Sequence, residues 1–182
     1  MTAVSVPTDP NRHGTTVSLQ IVPFEPALRA HFYRLNAQWL ERHFRIEDID
    51  RLVLSDPETH VLQPGGAIFF AQLGEHIIGT CALLHESPGV YELTKMGVDE
   101  TFRGQGAGRR LLDAAIAEFH RRDGQLLFLE SSSTLTTALR MYEQAGFVMQ
   151  PAIRVGSHYQ RADVYMIYAP MKHGAPVVDP VT

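Results

Sequence analysis

Three glycines at alternate positions, Gly104, Gly106 and Gly108, stand between two arginines, Arg103 and Arg109. Glycine reaches positive φ with no Cβ in the way, so such a turn can aim several backbone N–H groups at one anion. From Gly108 onward, Leu111, Leu112, Ala115, Ile116 and Phe119 follow the spacing of a helix buried along one face. The turn therefore feeds a helix N-terminus, whose unpaired N–H groups and partial positive charge suit a phosphate or diphosphate. Arg103 and Arg109 add side-chain charge at its two ends. Further along, Leu135, Ala138, Leu139 and Tyr142 recur at helical spacing, which puts the tyrosine hydroxyl on an inward face where it needs a partner. On the strand before the turn, the two-residue period sets Glu92, Thr94, Met96 and Val98 on one face, a carboxylate among apolar neighbours. These residues offer an anion site, a proton donor and a carboxylate base.

Two common phosphate motifs are excluded. A dinucleotide fingerprint G-x-G-x-x-G fails because Arg109 stands where the third glycine is required, and a P-loop fails because no lysine follows the glycines. Taken alone, the glycines would suit a flexible loop capping an ordinary helix.

The elements that must position these groups follow from periodicity and breakers. Val17 to Val22 is expected as a first strand. A helix from Pro26 to about Phe44 has Leu28, Phe32, Leu35, Trp39 and Leu40 on its apolar side, with Pro26 suited to its first turn. A second helix runs from Glu47 to Leu54, stopping before Asp56-Pro57. Ala67 to Leu73 and Ile77 to His85 form a hairpin across Gly74-Glu75-His76, and Val90 to Val98 follows Ser87-Pro88-Gly89. After the helix that opens at the glycines, Leu126 to Leu129 is a continuous apolar run, expected of a strand covered on both faces. A helix from Leu135 to Ala145 ends at Gly146, and Val164 to Tyr168 is a last strand. The sum is an α/β (α+β) domain, a mixed sheet with helices on both sides, over residues 17–171. Residues 1–16 read as an arm and 172–182 as a tail.

The surroundings of the glycines carry a family resemblance. Arg103-Gly104-Gln105-Gly106-Ala107-Gly108 fits the acetyl-CoA signature [RQ]-x-x-G-x-[GA] of the Gcn5-related N-acetyltransferase (GNAT) family, and Ala138 to Phe147 resembles its A-x-x-[LM]-Y-x-x-x-G-F segment. Tyr91 to Val98 is similar to the strand that precedes the turn in bacterial members. The resemblance spans about Leu19 to Tyr168 and implies a mostly antiparallel sheet of six to seven strands. It implies acetyl-CoA as cosubstrate, held by the segment Arg103 to Gly108, by Arg109 and by backbone groups of Met96 and Val98. Ser132 occupies a place where related members often carry asparagine. Glu92 matches the family's glutamate base, although a solvent-exposed glutamate at a strand end would show the same pattern. Tyr142 matches the acid that protonates the departing thiolate, although a core tyrosine bonded to a carbonyl would show the same spacing. The reaction implied is direct acetyl transfer to a primary amine. A non-catalytic acyl-CoA sensor and a toxin-type acetyltransferase acting on aminoacyl-tRNA are the alternatives. Family members often dimerise through sheet edges or C-terminal strands, which leaves a homodimer open.

Composition narrows the partners. A chain of 182 residues with sixteen Lys and Arg against twenty Asp and Glu, net charge −4, does not advertise nucleic-acid binding. The single cysteine, Cys81, excludes an intramolecular disulfide and reads as a small core residue. The nine histidines are scattered, without a zinc-binding pair, so no metal is expected; His85 and His158 are at most cleft-lining polar residues. No stretch reads as a signal peptide or a membrane span, and a cytoplasmic protein is expected. The acceptor-binding segments, Leu35 to Leu54 and Ile153 to Arg161, mix charges and do not choose between a small amine, an amino acid and a peptide or protein lysine.

Overall fold

The computed structural model describes residues 18–157 and 159–169; the expected arm and tail and His158 lie outside them. Seven strands form one sheet: β1 (Leu19–Pro23), β2 (Ala67–Leu73), β3 (His76–Ser87), β4 (Val90–Val98), β5 (Leu126–Ser131), β6 (Phe147–Met149) and β7 (Val164–Tyr168). Their spatial order is β1-β2-β3-β4-β5-β7-β6, antiparallel throughout except where β4 meets β5. That parallel pair requires a crossover, supplied by helix α3 (Ala107–Arg121), which packs on β2, β3 and β4. Helices α1 (Arg29–His43) and α2 (Asp48–Ser55) cover the opposite face, and α4 (Thr136–Gln144) lies beside β6.

The sheet thus separates two cores. On the α3 side Ile78, Leu83, Leu93, Leu111, Leu112 and Leu127 are fully enclosed. On the α1 and α2 side Phe32, Leu35, Leu54, Ile68 and Phe70 close together. Cys81 is buried in the first cluster, and burial pushes its thiol pKa far up, which fits a packing residue rather than a nucleophile. Leu127 and Leu129 face the α3 core, while Phe128 is covered from the other side by the Arg154 guanidinium, 4.5 Å from its ring centre.

Three differences from the sequence expectations have local causes. The first helix opens as a 3-10 turn over Pro26–Leu28, where proline is tolerated because its missing N–H would be unpaired anyway. A π-type turn at Glu58–Leu62 follows Pro57, and no periodic signal marks five residues. β6 is only three residues long and starts directly after Gly146, whose φ of +101° turns the chain out of α4. No helix of the described residues is long and apolar enough to cross a membrane.

Candidate active site

The sheet parts at its centre. β4 and β5 pair only from Val90 to Glu92 with Leu126 to Phe128, and beyond that point the strands separate. The cause lies at Lys95, which adopts φ +50°, a conformation uncommon for a residue with a side chain. There the register with β3 slips: Thr80 faces Gly97 and Ala82 faces Thr94, leaving two residues of β4 opposite one of β3. Such a bulge bends its strand and raises the local twist. A cleft of about 940 Å³ fills the gap, walled by Leu93 to Val98 on one side and Glu130 to Ser132 on the other.

The bulge also corrects the expected placement of side chains along β4. Glu92 and Thr94 pair across with Leu84 and Ala82 on the α1 and α2 face, whereas Met96 and Val98 pack into the α3 core. One extra residue flips every position after it, so the two-residue period does not hold across Lys95.

At the α3 end of the cleft the glycine turn forms an open cradle. Gly104 and Gly106 both have φ +79°, and a Cβ added at either would meet no atom within 4 Å. Gly106 precedes α3, which no side chain caps, so its first-turn amides are free to bind an anion. Ala107 and Gly108 line the cleft there; Arg103 and Arg109 border it, half exposed and paired with Glu100 and Asp113. Gln105 is exposed and lies off the cleft wall. Ser132 lines the wall from the turn after β5, its hydroxyl 3.0 Å from that of Thr134.

Tyr142 reaches into the same cleft from α4. Its hydroxyl donates to the Met96 Sδ at 3.7 Å, a weak acceptor, and burial raises its pKa well above the usual phenol range. It is therefore a protonated donor at neutral pH with no strong partner among the described residues. Glu92 is 2% exposed, with Oε1 buried and without a hydrogen-bond partner among the described residues. Burial first, then the charges of Glu86 and Glu130, push its pKa up to about 7, against the pull of Lys95. It sits behind the cleft wall rather than on it.

The floor on the α2 side holds a charge network that sequence spacing did not reveal. Lys95 Nζ donates to Asp50 Oδ1 at 2.6 Å and to the Tyr159 hydroxyl at 3.1 Å. Arg161 grips both oxygens of Asp50, at 2.7 and 3.0 Å, and pairs with Glu47 at 3.2 Å. Asp50 is fully buried; burial would raise its carboxyl, yet the hydrogen bonds and charges of Arg161 and Lys95 outweigh that and hold it below the usual range. The network fastens the segment before β7 to α2 and to the bulge. Its one legible sign was a lysine inside a mostly buried strand.

A sheet that parts beside an uncapped helix, with a tyrosine hydroxyl at the parting, defines a protein that holds an anion-bearing ligand along a free strand edge. The sequence profile of the acetyltransferase (GNAT) family matches residues 27–147, and the chain belongs to that family. N-acetylaspartate synthetases are similar in sequence: that of Rattus norvegicus is 31% identical over 100 residues and that of Homo sapiens 30%, each match covering 52% of this chain. These matches span 32% of the length of either relative. Among solved structures, a GNAT-family acetyltransferase of Staphylococcus aureus superposes with a TM-score of 0.74 at 18% identity, covering 82% of this chain and 98% of that one. A Salmonella typhimurium protein solved with its cofactor acetyl-CoA gives 0.63 at 19% identity, covering 89% and 99%. A Bacillus subtilis acetyltransferase in complex with CoA gives 0.61 at 18%, covering 82% and 97%.

Proposed function

We propose that this chain transfers the acetyl group of acetyl-CoA directly to a primary amine within a ternary complex. The observation that carries this reading is the Tyr142 hydroxyl, partly buried, protonated and weakly bonded, at the split between β4 and β5. The cleft fits acetyl-CoA: the cradle of Gly104 and Gly106 leaves room that a Cβ would take, and the amides of Ala107, Gly108 and Arg109 suit its diphosphate. Past Glu92, β4 has no partner on its β5 side, so backbone groups of Met96 and Val98 are available to the pantetheine arm. When bound, acetyl-CoA supplies an activated thioester; the rest of the chemistry is proton traffic.

An aliphatic ammonium, pKa about 10, must lose a proton before its nitrogen can attack, and a departing thiolate must gain one. Tyr142 supplies the second through its O–H, a role open to a phenol kept protonated by burial. A carboxylate of β4 or β5 beside the split takes the first, Glu92 being the one that the family resemblance points to. Summed over the cycle, an ammonium and a thioester give an amide, a free thiol and one released proton. We put an amino acid ahead of other acceptors, because the curated relatives are named for N-acetylaspartate synthesis and Arg42 and His43 border the same cleft.

Release of CoA thiol from acetyl-CoA against a panel of amines, amino acids and lysine peptides tests the proposal, with Tyr142→Phe run beside the natural protein. A hit that Tyr142→Phe suppresses supports the transferase. Tight acetyl-CoA binding with no turnover across the panel would favour a sensor.

A further inference from the structure

We propose that Glu130 is the carboxylate that receives the acceptor's ammonium and takes its proton, with Glu92 as its positioning neighbour. This inference rests on the transferase reading above. Glu130 lies on β5 two residues past Phe128, the last position paired with β4, so by the strand's alternation it shares the face of Phe128 just where the sheet opens. Unlike Glu92, it lines the cleft. Its side chain is 2% exposed, and Oε2 is buried with no hydrogen-bond partner among the described residues.

The nearest cation does not satisfy that oxygen. Arg154 Nη1 stands 3.7 Å from Glu130 Oε2, close enough for ionic attraction and too far for a hydrogen bond, and is itself unpartnered among the described residues. The same guanidinium is drawn to Glu86, 3.3 Å from Nη2, and lies over the Phe128 ring. Two carboxylates, Glu92 and Glu130, are therefore enclosed with fewer donors than their oxygens need, and the arginine beside Glu130 is divided with Glu86. Buried carboxylates are ordinarily paired and hydrogen-bonded. An alkylammonium brings one positive charge and three N–H donors, which is the complement of this deficit.

The groups facing the pair are few. Glu86 comes from β3, Lys95 from β4, Tyr165 from β7 directly opposite Glu130, and Arg154 and Tyr159 from the segment before β7. Lys95 is held by Asp50, leaving Arg154 as the cation at Glu130 among the described residues. In the proposed step one N–H bond of the ammonium breaks and an O–H bond forms on Glu130. The ion pair becomes a neutral amine and a carboxylic acid, and the nitrogen lone pair is freed to attack. Glu92, behind the wall, sits opposite Phe128 on the neighbouring strand, beside Glu130.

The test compares Glu130→Gln with Glu92→Gln. With primary amine acceptors at pH 7, Glu130→Gln is expected to lower kcat/KM by about 10² to 10⁴, leaving acetyl-CoA affinity unchanged. That deficit should narrow as pH approaches the acceptor's own pKa, because free amine then arrives without its extra proton. A Glu92→Gln enzyme that collapses while Glu130→Gln stays within about threefold of the natural protein overturns the proposal, as does a Glu130→Gln deficit flat in pH. A second readout needs no turnover. Carboxyl ¹³C NMR of the unliganded protein should show Glu92 titrating lower in Glu130→Gln, since a like charge has gone; an unmoved Glu92 overturns the pairing. A natural protein that binds acetyl-CoA but acetylates no amine counts against the transferase reading, and the NMR titration then decides the carboxylate pair by itself.

Discussion

Replacing Glu92 by Gln should change the pH dependence of stability more than stability itself. The carboxyl is 2% exposed, Oε1 has no hydrogen-bond partner among the described residues, and burial with the Glu86 and Glu130 charges pushes its pKa from 4.5 to about 7. A carboxyl whose folded pKa lies above its unfolded one binds its proton more tightly when folded. Its contribution is therefore complete below pH 4.5 and disappears as pH rises through 7. At about 1.4 kcal/mol for each pKa unit, the interval corresponds to about 3 kcal/mol. Glutamine keeps the shape and carries no charge at any pH. The stability of Glu92→Gln relative to the natural protein should thus rise by about 3 kcal/mol between pH 4.5 and 8.5, or about 6–12 °C in Tm for a domain of this size. Urea unfolding at half-unit steps across that range measures it. A difference that varies by less than about 1 kcal/mol would refute the reasoning, because it would mean that Glu92 ionises in the folded protein as freely as in water.

Other substitutions probe the remaining parts. Tyr142→Phe removes the proposed proton donor but no packing carbon, so kcat should fall by about 10² or more with acetyl-CoA affinity retained in a direct binding titration. Asp50→Ala would leave Lys95 and Arg161 facing each other without their shared carboxylate, at a cost of about 3–5 kcal/mol by denaturant titration; a loss below about 1 kcal/mol would show that water or Glu47 replaces it. Gly106→Ala forces a Cβ onto φ +79°, about 1–2 kcal/mol of strain, and points it into the cradle, so acetyl-CoA should bind about tenfold weaker by calorimetry. Gly108→Ala is the control, since its Cβ would meet Met141 Sδ at 3.5 Å in ordinary contact and affinity should change less than threefold.

The parts legible in the sequence are those that a local rule dictates. The amphipathic period from Leu111 to Phe119 marked α3, the alternate glycines marked its uncapped start, and the apolar run at Leu126 to Leu129 marked the covered strand. The missed features join residues far apart in the chain. Lys95 meets Asp50 across 45 positions, and Arg154 meets Glu86 across 68, so no spacing announces either pair. The bulge at Lys95 was invisible for a different reason: a positive φ at a lysine is imposed by its tertiary partners, and nothing in Thr94-Lys95-Met96 asks for it. That single irregularity explains more of the site than any motif. By adding one residue to β4 it bends the strand away from β5 and opens the slot, and by the same slip it turns Met96 toward Tyr142 while aiming Lys95 at Asp50. The slot and the charged floor are consequently not separate inventions. A chain that relaxed Lys95 to a regular pleat would gain a few β4–β5 hydrogen bonds and lose both. The burial of Asp50, at 0% exposed, is what makes that exchange unfavourable, because withdrawing the ammonium would strip a buried carboxylate of one of its two cations and leave it to Arg161.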